Sequence, residues 1–234
     1  MLIDVAVAKV PKYAVSVSGD TLEMIERPHG GLSFVLADGQ GHGEAAKHLS
    51  HLVATKAVSL LADGVRDGAA ARATHDFLYA YRQGKVSAEL TIVSVDLVSK
   101  TIVLSRNSHC PLVVFEGGRA RLVDEPSQAI GLYLRTKPTV TEIPLAENLA
   151  IVVISDGVLD AGHRRGSQID LLATVDALIT QPPDAQRIAD GILARAVELD
   201  QGRPGDDTSV IVLATRPEGA DDDVRRLRVL FPFH

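Results

Sequence analysis

Phe34 to Gly43 reads FVLADGQGHG, and how this segment folds decides how the rest of the chain is organised. Phe34 to Ala37 make a short apolar strand that ends at Asp38. Three glycines then alternate with Gln40 and His42, a spacing that a simple Asp-Gly turn does not require. Upstream, Leu22–Glu26 and Leu32–Ala37 flank Pro28-His29-Gly30-Gly31, which reads as a β-hairpin. Downstream the period changes. Ala46, Leu49, Leu52, Val53, Ala57, Leu60 and Leu61 recur at three and four, an amphipathic helix ending near Gly64.

Working outward, a second helix is expected from about Ala69 to Arg82. Leu90–Leu97, Thr101–Leu104, Pro111–Glu116 and Arg119–Val123 follow, joined by short turns, and read as one antiparallel meander. Leu149–Ile154 is a further strand that runs into Ser155-Asp156-Gly157. Helices are expected over Gln168–Ile179 and Ala185–Leu199, separated by Pro182-Pro183, and Thr208–Ala214 is a closing strand. Helices fall in two blocks among consecutive strands, so the pattern favours an α+β fold with stacked sheets over a doubly wound sheet. Residues 1–215 are expected to form one domain. Residues 216–234 form a tail that carries Asp221-Asp222-Asp223 and an apolar end, Val229 to Phe233, expected to pack on its own domain. There is no internal repeat.

The 234 residues hold 24 Lys and Arg against 30 Asp and Glu, a formal charge of −6, with 46% hydrophobic side chains. That content excludes a disordered chain, and the acidic balance argues against nucleic-acid binding. No apolar run approaches the roughly 20 residues of a membrane span, and Asp4 sits where a signal peptide would carry basic residues. Cys110 is the single cysteine, so no intrachain disulfide forms, and a cytoplasmic location is expected. Aromatics are 4% of the chain and tryptophan is absent, which leaves the core to aliphatic residues.

Acidic residues recur beside glycines at the ends of apolar runs. The sites are Ser18-Gly19-Asp20, Asp38-Gly39, Ser155-Asp156-Gly157 and, just ahead of a strand, Gly205-Asp206-Asp207-Thr208. Strand ends converge in a packed sheet, and carboxylates that close stay ionised only with a cation or proton between them. Oxygen ligands without His or Cys at ligand spacing suit Mg²⁺ or Mn²⁺ rather than Zn²⁺. Two such ions clamp a phosphoryl group for in-line attack by water. Asp-Gly is also a common turn dipeptide, and Asp63-Gly64, Asp67-Gly68 and Asp190-Gly191 read as ordinary turns or caps.

FVLADGQGHG resembles the Asp-Gly-x-Gly-His-Gly motif of SpoIIE-like phosphatases, within the metal-dependent PPM (type-2C) Ser/Thr protein phosphatases. Ser18-Gly19-Asp20 is similar to that family's first metal motif. Thr91–Asp96 with Asn107-Ser108-His109-Cys110-Pro111-Leu112 is similar to its central stretch. Gln128–Leu132, Val152–Gly157 (VVISDG) and Asp206–Ser209 (DDTS) follow in the family's order, so the likeness spans roughly residues 14–215. It implies a β-sandwich of two mainly antiparallel sheets flanked by helices, in α-β-β-α layers. It implies that Asp38 bridges two Mn²⁺ or Mg²⁺ ions with help from the Gly39 carbonyl. Asp20, Asp156 and Asp206 complete the ligands, and Asp207 lies near a looser third ion. A metal-activated water is then the nucleophile, and His42 is a candidate general acid. The implied substrate is a phosphoserine or phosphothreonine protein. Among bacterial stress-response members it is a STAS-domain or stressosome-type partner in a sigma-factor switch, with regulatory input from other chains. The sequence departs from the pattern at three places: Gln40 replaces the His of eukaryotic members, Asn107-Ser108 a small pair, and Ser209 the usual Thr.

Other chemistries fit less well. Gly41–Ala46 matches G-x-G-x-x-A, but Asp38 before it repels a pyrophosphate. A histidine-kinase-type ATPase lacks its Asn-bearing helix. A cysteine phosphatase needs Arg six residues after Cys110, where Glu116 stands, and no P-loop is present. His48 and His51 read as exposed helix residues and Cys110 as a small buried one. A non-catalytic module that uses the same fold to bind a partner is the remaining rival, and the intact Asp set counts against it.

Overall fold

The computed structural model describes residues 1–217 and 224–232. Ten strands and five α-helices follow one another as β1 (Leu2–Val10), β2 (Asp20–Glu26), β3 (Gly31–Gly39), α1 (Gly43–Ala62), α2 (Asp67–Arg82), β4 (Ala88–Asp96), β5 (Thr101–Asn107), β6 (Leu112–Glu116), β7 (Arg119–Val123), β8 (Thr139–Pro144), β9 (Ala150–Ile154), α3 (Asp156–Leu159), α4 (Leu171–Leu178), α5 (Ala185–Leu199) and β10 (Thr208–Arg216). A 3₁₀ turn covers His163–Arg165. One sheet has the order β1-β10-β9-β6-β7 and the other β2-β3-β4-β5-β8, every pair antiparallel.

Three aliphatic layers separate four layers of structure. Phe34, Leu36, Val93 and Leu104 meet Val114, Ile151, Val153 and Ile211 between the sheets. Val35, Ala37, Leu90 and Ile92 turn the other way, onto Val53, Ala57 and Leu78 of α1 and α2. Val152, Val210 and Val212 pack on Val175, Ile188 and Ile192 of α4 and α5. Each central strand is therefore buried on both faces, which is why it reads as a continuous apolar run rather than an alternating one. The expected α-β-β-α sandwich is the observed architecture.

The N-caps of α4 and α5 are local. Asp170 accepts from the Ala173 amide at 3.0 Å and Asp184 from the Arg187 amide at 2.8 Å. Four expectations need correction. The strands from β4 to β7 are two hairpins in different sheets, because the chain crosses between sheets at Ser108–Pro111. No strand ends at Ser18-Gly19-Asp20, where Asp20 instead begins β2, and Leu2–Val10 and Thr139–Pro144 form edge strands that neither composition nor length announced. Asp190-Gly191 lies inside α5, where a Cβ on Gly191 would sit 2.4 Å from Leu178, so this glycine sets the approach of α4 to α5. The tail touches the domain through Arg225, which donates to Glu26 of β2 at 2.9 Å, but its apolar end does not pack there over its described part. Val229, Leu230 and Phe231 are exposed, and the Asp221–Asp223 run and Phe233 lie outside the described residues.

Candidate active site

Register assembles the site. In the first sheet to be read from the motif, Asp20 of β2 stands directly opposite Asp38 of β3, and Asp38 directly opposite Glu89 of β4. Residues opposed across antiparallel strands share a face, so the three carboxylates form one row at the sheet's end. Asp156 starts α3 at the end of β9, and Asp206 precedes β10, so the second sheet brings its acids to the same end. Electrostatics give the same grouping. Burial, followed by Asp20, Asp156, Glu89 and Asp206, pushes the Asp38 carboxyl up to about 9. Burial is also the chief cause for Asp20, raised to about 7, and for Asp156, raised to about 6 with Asp206 and Glu89 contributing.

The glycines beside these acids make the convergence possible. A Cβ on Gly39 would stand 2.3 Å from the Ala46 carbonyl of α1, and one on Gly19 2.9 Å from the Ala46 Cβ. On Gly157 it would meet the Asp207 carbonyl at 2.2 Å. None of the three has the left-handed backbone; they are small because other chain passes through the space. Gly41 and Gly43 differ, with φ of +100° and +68° and open space around them, and so turn the chain into α1. Gly157→Ala is therefore expected to lower stability by about 1–3 kcal/mol in urea unfolding, whereas Gly166→Ala, at a glycine with nothing within 4 Å, tests only backbone strain.

Asp20 is fully buried. Its Oδ2 accepts from the Ser209 hydroxyl at 2.5 Å, and its Oδ1 has no hydrogen-bond partner among the described residues. The Lys9 and Lys47 ammonium groups both donate to its backbone carbonyl, at 2.6 and 2.9 Å. Asp206 is partly open to solvent and lies 3.7 Å from the Lys12 ammonium. Asp207 is buried, with Oδ1 accepting from the Lys12 amide at 3.0 Å and Oδ2 from the Gly19 amide at 2.8 Å, so it ties the loop before β2 to the loop before β10. His42 is exposed, at the residue before α1, and caps that helix with no side-chain bond. His48 and His51 are exposed on α1 and Cys110 is buried, as expected.

Sequence reading missed Glu89. It sits mid-run in Ala88-Glu89-Leu90-Thr91 without an adjacent glycine, and only the pairing of β4 with β3 carries it to Asp38. It accepts from the Ser108 hydroxyl at 2.5 Å and the His109 amide at 3.2 Å, and contacts the His109 ring at Nδ1. The crossing that presents His109 is itself braced: buried Arg106 donates to the Ser108 carbonyl at 2.9 Å and the Cys110 carbonyl at 3.1 Å.

The raised carboxylates fix the sign of the pH dependence without metal. Above the ordinary aspartate value near 3.8, an unfolded chain releases protons that the folded cluster retains up to about 6–9. The folded state binds more protons across that window, so stability falls as pH rises through it. Melting temperatures in chelator are expected to drop between pH 5 and pH 8.5. Saturating Mn²⁺ is expected to reverse the drop, as a cation held among these carboxylates would take over the protons' role.

The model of the family described as "Stage II sporulation protein E (SpoIIE)" matches residues 28–216, most of the chain, including Asp38, Glu89, Asp156, Asp206 and Asp207 but not Asp20. The chain belongs to the SpoIIE family. Stage II sporulation protein E of Priestia megaterium is 23% identical over 212 residues, which is 90% of this chain and 36% of that protein. The chain thus spans about a third of that SpoIIE relative's length. The solved PP2C phosphatase domain of SpoIIE from Bacillus subtilis, with a fragment of its regulatory domain, superposes with a TM-score of 0.79 at 22% identity, over 91% of this chain and 63% of that one. RsbX, solved in complex with magnesium, gives 0.69 at 13% identity over 91% and 94% of the two chains. These likenesses establish that the SpoIIE-family chain has the PP2C-type fold. Among the described residues, no helix is long and apolar enough to cross a membrane.

Proposed function

We propose that the chain is a metal-dependent phosphoserine/phosphothreonine protein phosphatase. The observation that carries the reading is the half-buried row of carboxylates around Asp38, with Asp20 fully buried and its Oδ1 left without a partner among the described residues. A buried, unpartnered carboxylate oxygen among other carboxylates is a place for a hard cation. The SpoIIE-family membership and the magnesium held by the similar RsbX support the same choice.

Asp38, at the centre of the row, would bridge two Mn²⁺ or Mg²⁺ ions, with the Gly39 carbonyl, Asp20, Asp156 and Asp206 as the other ligands. Asp207, which holds the Lys12 and Gly19 amides, would lie near a looser third ion. Bound ions of this kind lower the pKa of water and offset charge on a phosphoryl group. Ser209 and the two lysines fix Asp20, the glycines hold the strand ends at contact distance, and Lys12 beside Asp206 offers the phosphate a cation. The physiological substrate in this reading is a phosphorylated STAS-domain or stressosome-type protein in a cytoplasmic partner switch. No nucleic acid is involved.

Hydrolysis of p-nitrophenyl phosphate tests the reading. Turnover is expected with Mn²⁺ or Mg²⁺ and is abolished by chelator. Turnover that persists in chelator, or none with any divalent ion, overturns it.

A further inference from the structure

We propose that His109, oriented by Glu89, is the proton donor to the leaving oxygen of the phosphoester. This rests on the phosphatase reading and names a residue for a part of that reaction the carboxylates cannot perform. Hydrolysis of a phosphoserine releases an alkoxide, a strong base that leaves slowly unless protonated as the ester bond breaks. Acids that hold a cation have no proton to give.

The other candidates near Asp38 are poorly placed. Gln40, two residues on, has no acidic proton, and its Oε1 accepts from the Ser87 amide at 3.0 Å. His42 is exposed, and its side chain makes no capping bond to α1. Cys110 is buried, and its thiol is pushed well above its ordinary range.

His109 meets each requirement. Glu89 is one strand over from Asp38 in direct register, so a ring held by Glu89 is at the edge of the acid row. With Nδ1 on Glu89, the Nε2–H is the free donor, the arrangement by which a carboxylate fixes a catalytic imidazole. The loop cannot drift, since Glu89 also holds the Ser108 hydroxyl and the His109 amide while Arg106 clamps the carbonyls on either side. The His109 side chain remains 56% exposed, which leaves it open to substrate and to reprotonation. Partial burial pulls its pKa down, but the hydrogen bond and charge of Glu89, with Asp156 and Asp160, outweigh this and hold it above its ordinary value.

The step balances as follows. The water oxygen bonds to phosphorus, and the phosphorus–ester oxygen bond breaks with its electron pair on the ester oxygen. That oxygen takes the Nε2 proton and leaves as the free hydroxyl. The proton lost by the water passes to solvent, and solvent reprotonates the imidazole.

A weakly basic leaving group needs no such donor, so the test is a comparison of leaving groups. With Mn²⁺, kcat is measured for phenyl phosphate and p-nitrophenyl phosphate on the wild type, His109→Gln and Glu89→Gln. His109→Gln is expected to cost about 10²–10³ in kcat on phenyl phosphate and less than about tenfold on p-nitrophenyl phosphate. Glu89→Gln, which acts through the ring, shifts the ratio the same way by a smaller factor. Matching melting curves check that the variants fold, and a purely structural defect lowers both substrates alike. Equal losses on the two substrates, or none, overturn the assignment while leaving the phosphatase reading intact. A wild type inert to both takes the reading down and this assignment with it.

Discussion

Asp38→Asn is expected to lower kcat/KM on a phosphomonoester by roughly 10³-fold or more while leaving the protein folded. Asp38 is the only residue of the row with a directly opposed carboxylate on each side, Asp20 and Glu89, and Asp156 and Asp206 reach it from the other sheet. An amide there keeps the shape but removes the negative charge that would hold two cations together. The same change relieves the metal-free protein of its most strongly perturbed acid, so its melting temperature at pH 8 should rise rather than fall. Measured together, lost turnover and gained apo stability separate a site residue from a structural one. An active Asp38→Asn enzyme would contradict the site.

The largest stability loss is expected at a different carboxylate. Asp67 begins α2 and, though half of an Asp-Gly pair, is no turn residue. It is buried, accepts from the Arg27 guanidinium at 2.8 Å and takes the Ser94 hydroxyl on its other oxygen. Arg27 also donates to the Val65 carbonyl at 2.9 Å, so one ion pair joins the β2–β3 turn, the α1–α2 loop and β4. Asp67→Ala leaves a guanidinium largely buried without its anion, and is expected to cost about 3–5 kcal/mol. For a chain of this size that is a fall in melting temperature on the order of 10 °C. Replacing both residues by alanine should cost less than the sum of the single losses, because no unpaired charge remains. A double-mutant cycle in urea measures the difference; simple additivity would contradict the coupling.

What could be read from the sequence follows how local each signal was. α5 declared itself as the stretch Ala185–Leu199 set off by Pro182-Pro183, and the β2–β3 hairpin through Gly30-Gly31. β1 did not. Its partner is β10, some 200 residues away, and as an edge strand with Val7 and Leu2 exposed it lacks the uniform apolar run of the central strands. β8 is an edge strand of the other sheet, and with Val140 exposed it likewise lacks a uniform apolar run. The site divides in the same way. Asp20, Asp38 and Asp156 stand beside glycines that exist because chain packs against them, so short-range spacing pointed to them. Glu89 has no such neighbour and belongs to the row only through strand register, which no local pattern encodes. The change of sheet between Asn107 and Leu112 was equally invisible, since two hairpins in different sheets and one meander share the same string of strands and turns.

Titrating Mn²⁺ into the metal-free protein by calorimetry, in two buffers of different ionisation enthalpy at pH 7, addresses the carboxylate cluster directly. The Asp38 carboxyl is still protonated there and Asp20 partly so, hence cation uptake must expel protons. The expected result is two ions bound per chain with net proton release, and loss of both binding and release in Asp38→Asn. No binding at millimolar Mn²⁺, or binding unchanged in Asp38→Asn, would contradict it.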